Sequence, residues 1–215
     1  VAAKARGRRA RLTVHSKLAL SVTAAVTVVG TVVILLGERW PAGSGAYGRV
    51  VAAAFQSVSA STTDGFNTID IGAMGAASLT FIMFLMFVGA SPGSTGGGIK
   101  TTTFGLLLVL LWSRIRHRAN NVFSREISER CLYDAVVVAL VFALIAFADL
   151  IVLSIVEDTS YLQNAFEIVS ALGNTGLSMG ITAGLSATAK VALIVTMFVG
   201  RVGILILALA LFPRP

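Results

Sequence analysis

Residues 55–65 read Phe55-Gln56-Ser57-Val58-Ser59-Ala60-Ser61-Thr62-Thr63-Asp64-Gly65, and residues 166–176 read Phe166-Glu167-Ile168-Val169-Ser170-Ala171-Leu172-Gly173-Asn174-Thr175-Gly176. Phe55, Val58, Ser59, Ala60 and Gly65 recur as Phe166, Val169, Ser170, Ala171 and Gly176 at a constant offset of 111 residues, without a gap. A second block, Met86-Phe87-Val88-Gly89, returns as Met197-Phe198-Val199-Gly200 in the same register. Apolar helices resemble one another at scattered positions, but two separated blocks in one register describe an internal repeat. Each unit reads helix, half-helix, loop, helix.

The composition places that repeat in a membrane. Of 215 residues 56% are apolar and only 13% are charged, which argues against a soluble enzyme. Crossing roughly 30 Å of hydrocarbon takes about 20 mostly uncharged residues. Such runs are expected outward over 18–36, back between 75 and 113, outward over 133–156 and back over 188–212. The basic residues flank them: Lys4, Arg6, Arg8, Arg9, Arg11 and Lys17 before the first run, then Arg114, Arg116, Arg118, Arg125 and Arg130 in the middle, with Arg214 at the end. The positive-inside rule puts all three clusters in the cytoplasm. The net charge of +7 therefore reads as topology rather than as a nucleic-acid surface.

The expected order is a basic cytoplasmic segment 1–17, a first repeat 18–113, a basic cytoplasmic linker 114–132 and a second repeat 133–215. The chain starts at Val1 rather than Met, so upstream sequence is expected in the native protein. A cleaved signal peptide is the competing reading of the first run, but Trp40-Pro41 looks like an interfacial stop. Cys131 has no internal disulfide partner, and His15 and His117 sit among arginines, so neither a zinc site nor a Ser-His-Asp triad is expected.

The stretches 48–61 and 160–172 are apolar but too short to span, and each leads into a Gly-containing polar segment. Irregular backbone at membrane depth survives only where it is buried in protein or lines a watery cavity, so these are candidate re-entrant pore loops. A half-helix aims its partly negative C-terminus at such a cavity, and the residues after it offer carbonyl oxygens in place of an ion's hydration shell. On this reading Thr62, Thr63, Asp64, Gly65 and Phe66, with Asn174, Thr175, Gly176 and Leu177, form two filter segments. Gly65 and Gly176 are paired, and a cation passes their carbonyls. Two surface turns would be the plainer alternative.

A third feature is the segment 75–113, whose 39 residues would make a helix nearly 60 Å long at about 1.5 Å per residue. It must break, and Gly89, Gly93, Gly96, Gly97, Gly98 and Pro92 place the break at 89–100, leaving helices near 76–88 and 101–113. The run ending in Lys100-Thr101 is not a phosphate loop, because Ile99 separates Gly98 from Lys100 and no strand precedes it. An unwound segment below a filter is a natural gate. Arg201 lies in an apolar stretch and needs a partner; the repeat aligns it with Ala90, so loop carbonyls or the hydroxyls of Ser91, Ser94 and Thr95 are expected acceptors. A structural ion pair or snorkelling is its alternative. Asp149 sits inside the run 133–156 and is read as structural rather than ion-handling, while Asp64, Asp70, Glu157 and Asp158 are expected outside, where they would concentrate cations, a merely solvated rim being the equal alternative for Glu157 and Asp158.

The motifs Thr63-Asp64-Gly65-Phe66-Asn67-Thr68, Gly89 to Thr102, Ser170 to Ser178 and Gly200-Arg201-Val202-Gly203, in this order, resemble those of the Trk/Ktr/HKT superfamily of potassium and sodium transporters. The resemblance implies an all-α polytopic membrane protein of two tandem helix, re-entrant pore loop, helix repeats, the inward helix of the first broken by a Gly-rich intramembrane loop. It also implies that these are the third and fourth of four repeats around one ion path. Gating falls to Gly89, Ser91, Gly93, Gly96, Gly97, Gly98, Lys100 and Arg201, the loop obstructing the cavity. Departures from the pattern are Asp64 where a small residue is usual, Asn174-Thr175 in place of Thr-Val, and Ile204 in place of proline.

The expected function is therefore potassium uptake across the plasma (inner) membrane, with sodium or mixed cation transport as the nearest alternative. An alternating-access carrier or a non-conducting structural or regulatory fragment are the rivals from other classes. No catalysis, cofactor or nucleic-acid partner is expected. Expected partners are the lipid bilayer, two further pore repeats upstream or a second copy, a homodimer, and the nucleotide-binding cytoplasmic ring that the resemblance implies.

Overall fold

The computed structural model describes residues 12–41, 43–116, 121–122 and 125–202. The basic cluster before residue 12, His117, Arg118 and everything from Gly203 onward, Ile204 and Arg214 included, lie outside these. Seven α-helices carry the described fold: α1 (Val14–Gly37), α2 (Ala46–Thr62), α3 (Ala76–Val88), α4 (Thr101–Arg116), α5 (Glu129–Val156), α6 (Tyr161–Gly173) and α7 (Ala187–Val202). The linker holds the one departure from an all-helical chain among the described residues, a two-residue antiparallel pairing of Asn121–Val122 with Arg125–Glu126. The flanking helices shorten the linker: α4 continues to Arg116 and α5 begins at Glu129, before residue 133 where the apolar run starts.

α1 and α5 are long and apolar enough to cross a membrane. Their starts are capped conventionally. Thr13 accepts from the Ser16 amide and Ser128 from the Cys131 amide, each satisfying one otherwise orphaned N–H. On α5 the residues Val137, Leu140, Leu144, Phe147, Ile151 and Ile155 are all exposed, a stripe at helical spacing that water would penalise and lipid tails solvate. α2 and α6, at 17 and 13 residues, reach only about 25 and 20 Å at the helical rise of about 1.5 Å per residue.

The order recurs at one spacing. α2 ends at Thr62 and α6 at Gly173; 3-10 turns follow at Ile71–Ala73 and Thr182–Gly184; α3 begins at Ala76 and α7 at Ala187, each pair 111 residues apart. Within the first unit α1 packs on α2, α3 and α4, and the first unit meets the second where α3 packs on α6 and α4 on α5. Small residues permit the close approaches. Gly30 of α1 abuts Ser57 of α2, whose hydroxyl donates to the Thr27 carbonyl at 2.8 Å, and a Cβ at Gly30 would collide with Ser57 Oγ. The principal core joins Ile34, Leu79, Ile82, Leu85 and Met86 to Phe166, so α6 of one unit is keyed into the core of the other.

Two acids fasten the tops of the helices. Glu38, just past α1, accepts from the Gly75 amide at 3.0 Å, and Glu157, just past α5, accepts from the Ser186 amide at 2.8 Å. Gly75 and Ser186 stand at equivalent places ahead of α3 and α7, where unpaired N–H groups and the positive end of the helix dipole favour a carboxylate.

Candidate functional site

The short helices end alike. Thr63 closes α2 in the left-handed region at φ 62°, and Asn174 closes α6 at φ 52°. For a β-branched threonine that conformation is a genuine outlier, held here by surrounding structure. Beyond them the Asp64 amide donates to Ser59 O at 3.0 Å and the Thr175 amide to Ser170 O at 2.9 Å, turning both chains sharply. Gly65 and Gly176 follow with φ of 77° and 90°, angles that favour glycine. The two turns meet: a Cβ built on Gly65 would run into the Thr175 carbonyl oxygen and lie 3.4 Å from Gly176 Cα. Asp64 faces solvent and accepts from its neighbour Thr62 Oγ1 at 2.9 Å. Phe66 is exposed, whereas its counterpart Leu177 is buried.

The Gly-rich segment 89–100 lies directly against these turns. Its Gly97 amide donates to the Gly173 carbonyl, the last residue of α6, at 2.9 Å, and added Cβ atoms on Gly96 and Gly97 would strike Thr63 Oγ1 and the Leu172 and Gly173 backbone respectively. The close fit explains the glycines better than flexibility alone does. Gly89, Gly93, Gly98 and Lys100 all have positive φ. The segment is pinned at its ends, Ile99 N–H to Phe87 O at 3.1 Å, and Ser91 Oγ at 3.0 Å from both Thr23 of α1 and Thr101 of α4.

Two cations hold its middle. Lys100 Nζ donates to the Gly96 carbonyl, and Arg201 Nη1, from the last described turn of α7, donates to the Thr95 carbonyl. These carbonyls satisfy charges that would otherwise lack acceptors in an apolar setting. Their positive charges are close enough to repel each other. Asp149 takes no part; its carboxyl group accepts from Thr196 Oγ1 and ties α5 to α7.

Other polar groups had no place in the sequence reading. Glu167, nearly buried on α6, accepts from Ser178 Oγ, from the Met179 amide at 3.0 Å and from Thr182 Oγ1 at 2.8 Å. Its counterpart Gln56 is fully buried on α2, with neither amide atom bonded to protein. The signal for Glu167 was present as the only acid within residues 160–172, with hydroxyl residues 11 and 15 positions later.

This architecture defines a multi-pass α-helical membrane protein whose two short helices end in turns that meet one another. The family model described as TrkH, cation transport protein, matches residues 16–214, and the chain belongs to that family of transporters. It is 46% identical over 152 residues to the Ktr system potassium uptake protein D of Bacillus subtilis, covering 70% of this chain and 34% of that protein. It is 35% identical over 211 residues to the potassium/sodium uptake protein NtpJ of Enterococcus hirae, covering 95% of this chain and 47% of that one. The crystal structure of the potassium transporter TrkH from Vibrio parahaemolyticus superposes with a TM-score of 0.72 at 25% identity, over 93% of this chain and 44% of the other. The chain thus spans between about a third and a half of the length of these relatives.

Proposed function

We propose that the chain is half of a potassium pathway, with carbonyls around Gly65 and Gly176 forming two quarters of a selectivity filter and residues 89–100 with Arg201 forming the gate beneath it. The observation that carries this reading is the approach of Gly65 to Thr175 and Gly176, two left-handed turns brought together at the ends of helices too short to span. α2 and α6 act as re-entrant half-helices, their C-terminal dipole ends directed at the meeting point. The gate glycines touch the underside of both turns, so the loop and the ion compete for one space.

The unpaired ends of the fold support a ring. Phe166 of α6 is buried in the cluster that includes Ile82 and Met86 of α3. Phe55, its counterpart on α2, is 42% exposed, and beside Leu193, Ile194 and Met197 on α7, the latter the counterpart of Met86, there is a cavity of about 340 Å³. The same knob and hole that join the two units therefore remain open at both ends. Two further repeats, upstream or from a second copy, would fill them head to tail and complete four. The expected assembly in the plasma membrane is a homodimer with residues 1–17, 114–132 and the C-terminus cytoplasmic, resting on a nucleotide-binding ring.

A sodium or mixed cation pathway is the second reading, favoured by the exposed Asp64 at the first filter turn and by the potassium/sodium naming of the Enterococcus relative. Purified protein in vesicles, loaded with potassium and challenged with sodium, decides between them. Potassium flux little affected by equimolar sodium supports the first; equal competition supports the second; absence of any flux rejects both.

A further inference from the structure

We infer that Glu167 is a positioning residue for ion selectivity, holding the chain that leaves the filter turn at Gly176 in place from behind. Both oxygens of its carboxyl group are engaged, one by Ser178 Oγ and the Met179 amide, the other by Thr182 Oγ1. Ser178 also lies 2.9 Å from Thr182 Oγ1 and accepts from the Gly180 amide at 2.9 Å, so one side chain organises the whole ascent from 178 to 182. Gly176 and Gly180 both have positive φ. The chain through them is anchored by side chains at either end. On one side that anchor is Asn174, whose amide donates to the Met197 carbonyl at 3.0 Å; on the other it is Glu167, which accepts from Ser178, two residues past Gly176.

The first unit is braced differently. There Ser59 Oγ donates to the Phe66 carbonyl at 2.6 Å, while Gln56 stands where Glu167 would be and makes no hydrogen bond to protein. The residues matching Ser178 and Thr182 are Asn67 and Ile71, and Asn67 turns instead to the Ile69 carbonyl at 3.0 Å. Glu167 is thus specific to the second filter turn, and the two turns are held with different stiffness. Because carbonyl spacing sets which ion is coordinated well, loosening the better-braced turn acts on selectivity before it acts on the fold.

This inference rests on the reading of Gly176 as a filter residue, and the test separates the two. Potassium and sodium fluxes are measured for the full-length transporter in vesicles, alongside thermal unfolding in detergent. Glu167→Ala is expected to lower potassium-over-sodium preference about tenfold, while Glu167→Gln, which keeps an acceptor for Ser178 and the Met179 amide, stays within about threefold of the wild type. Thr182→Val and Ser178→Ala remove donors one at a time without entering the core, and each is expected to lower preference by less than Glu167→Ala; they carry the test if that variant fails to fold. Unchanged preference in Glu167→Ala, or in both donor variants where it does not fold, overturns the inference, as does a Gln variant no better than Ala. A wild type that conducts without discriminating overturns the filter reading itself.

Discussion

The amide of Gly97 donates to the carbonyl oxygen of Gly173, 2.9 Å away, and so joins the Gly-rich segment to the last residue of α6. That carbonyl is one of the orphan acceptors every helix C-terminus leaves, and here a neighbouring loop supplies the donor. The loop is therefore latched to the base of the turn that carries Gly176.

Breaking that latch should open the path. A Cβ at Gly97 would sit 2.8 Å from Gly173 C and O and from Leu172 O, all backbone atoms that cannot swing aside. Gly97→Ala is expected to displace the loop and raise potassium flux at low driving force about tenfold, the shift that about 1.4 kcal/mol makes in a two-state equilibrium. Vesicle flux at equal folded abundance is the measurement, and flux no higher than wild type would show the loop to be structural.

Arg201→Ala removes the donor to the Thr95 carbonyl and should act in the same direction, as should deletion of Gly96 to Gly98. Selectivity should hardly change in either, since the filter carbonyls are untouched. A loss of discrimination as large as that of a filter-glycine variant would contradict the division of labour between the two regions.

Gly65 and Gly176 should both resist a side chain. Both have positive φ, which costs an alanine about 1–2 kcal/mol, and a side chain at Gly65 also meets the Thr175 carbonyl, a contact that the next repeat of the proposed ring would make with Gly176 in the same way. Gly176→Ser in the full-length protein is expected to weaken potassium-over-sodium discrimination, because a side chain perturbs the carbonyl cage. Unchanged selectivity in ion-flux competition would count against a filter role for Gly176.

The hydrogen bonds of Ser186, side chain and backbone, with a smaller attraction from Lys190, hold the Glu157 carboxyl below its ordinary value. A carboxyl whose pKa is depressed on folding stabilises the fold above its unfolded pKa, near 4.3, and that contribution disappears as pH falls through the lower, folded value. Acidifying from neutral to below about pH 4 should therefore lower the melting temperature more in wild type than in Glu157→Gln. Parallel acid curves for the two proteins would remove Glu157 from the account.

Much of the helical layout was legible in the residues. The break between Val88 and Thr101 followed from helix length against membrane thickness, and its two flanking helices start at the residues the glycines imply. Arg201 demanded an acceptor, and repeat alignment pointed to the loop that supplies Thr95. Periodicity does not show which polar group on a short helix reaches back to the chain after it, so the Glu38 and Glu157 clamps were not legible, and Glu167 stood out only as the lone acid of residues 160–172 without its partners. The sequence allows Glu157 either an acidic mouth or a solvated rim, and the structure turns its carboxyl to the amide ahead of α7. Neither could composition show that Gly96 and Gly97 are there for contact with Thr63, Leu172 and Gly173, because tight contact and flexibility select the same residue type.

The exposed Phe55 and the open pocket beside Met197 give the proposed ring a direction. Joints of this head-to-tail kind are not self-complementary, so they close into a circle only when the rotation between successive members divides a full turn, and otherwise run on as a helix. The angle at which α6 seats against α3 therefore fixes both how many members encircle the axis and how wide the opening between them is. In the proposed ring the side chains of that joint therefore set the width of the path as well as its symmetry.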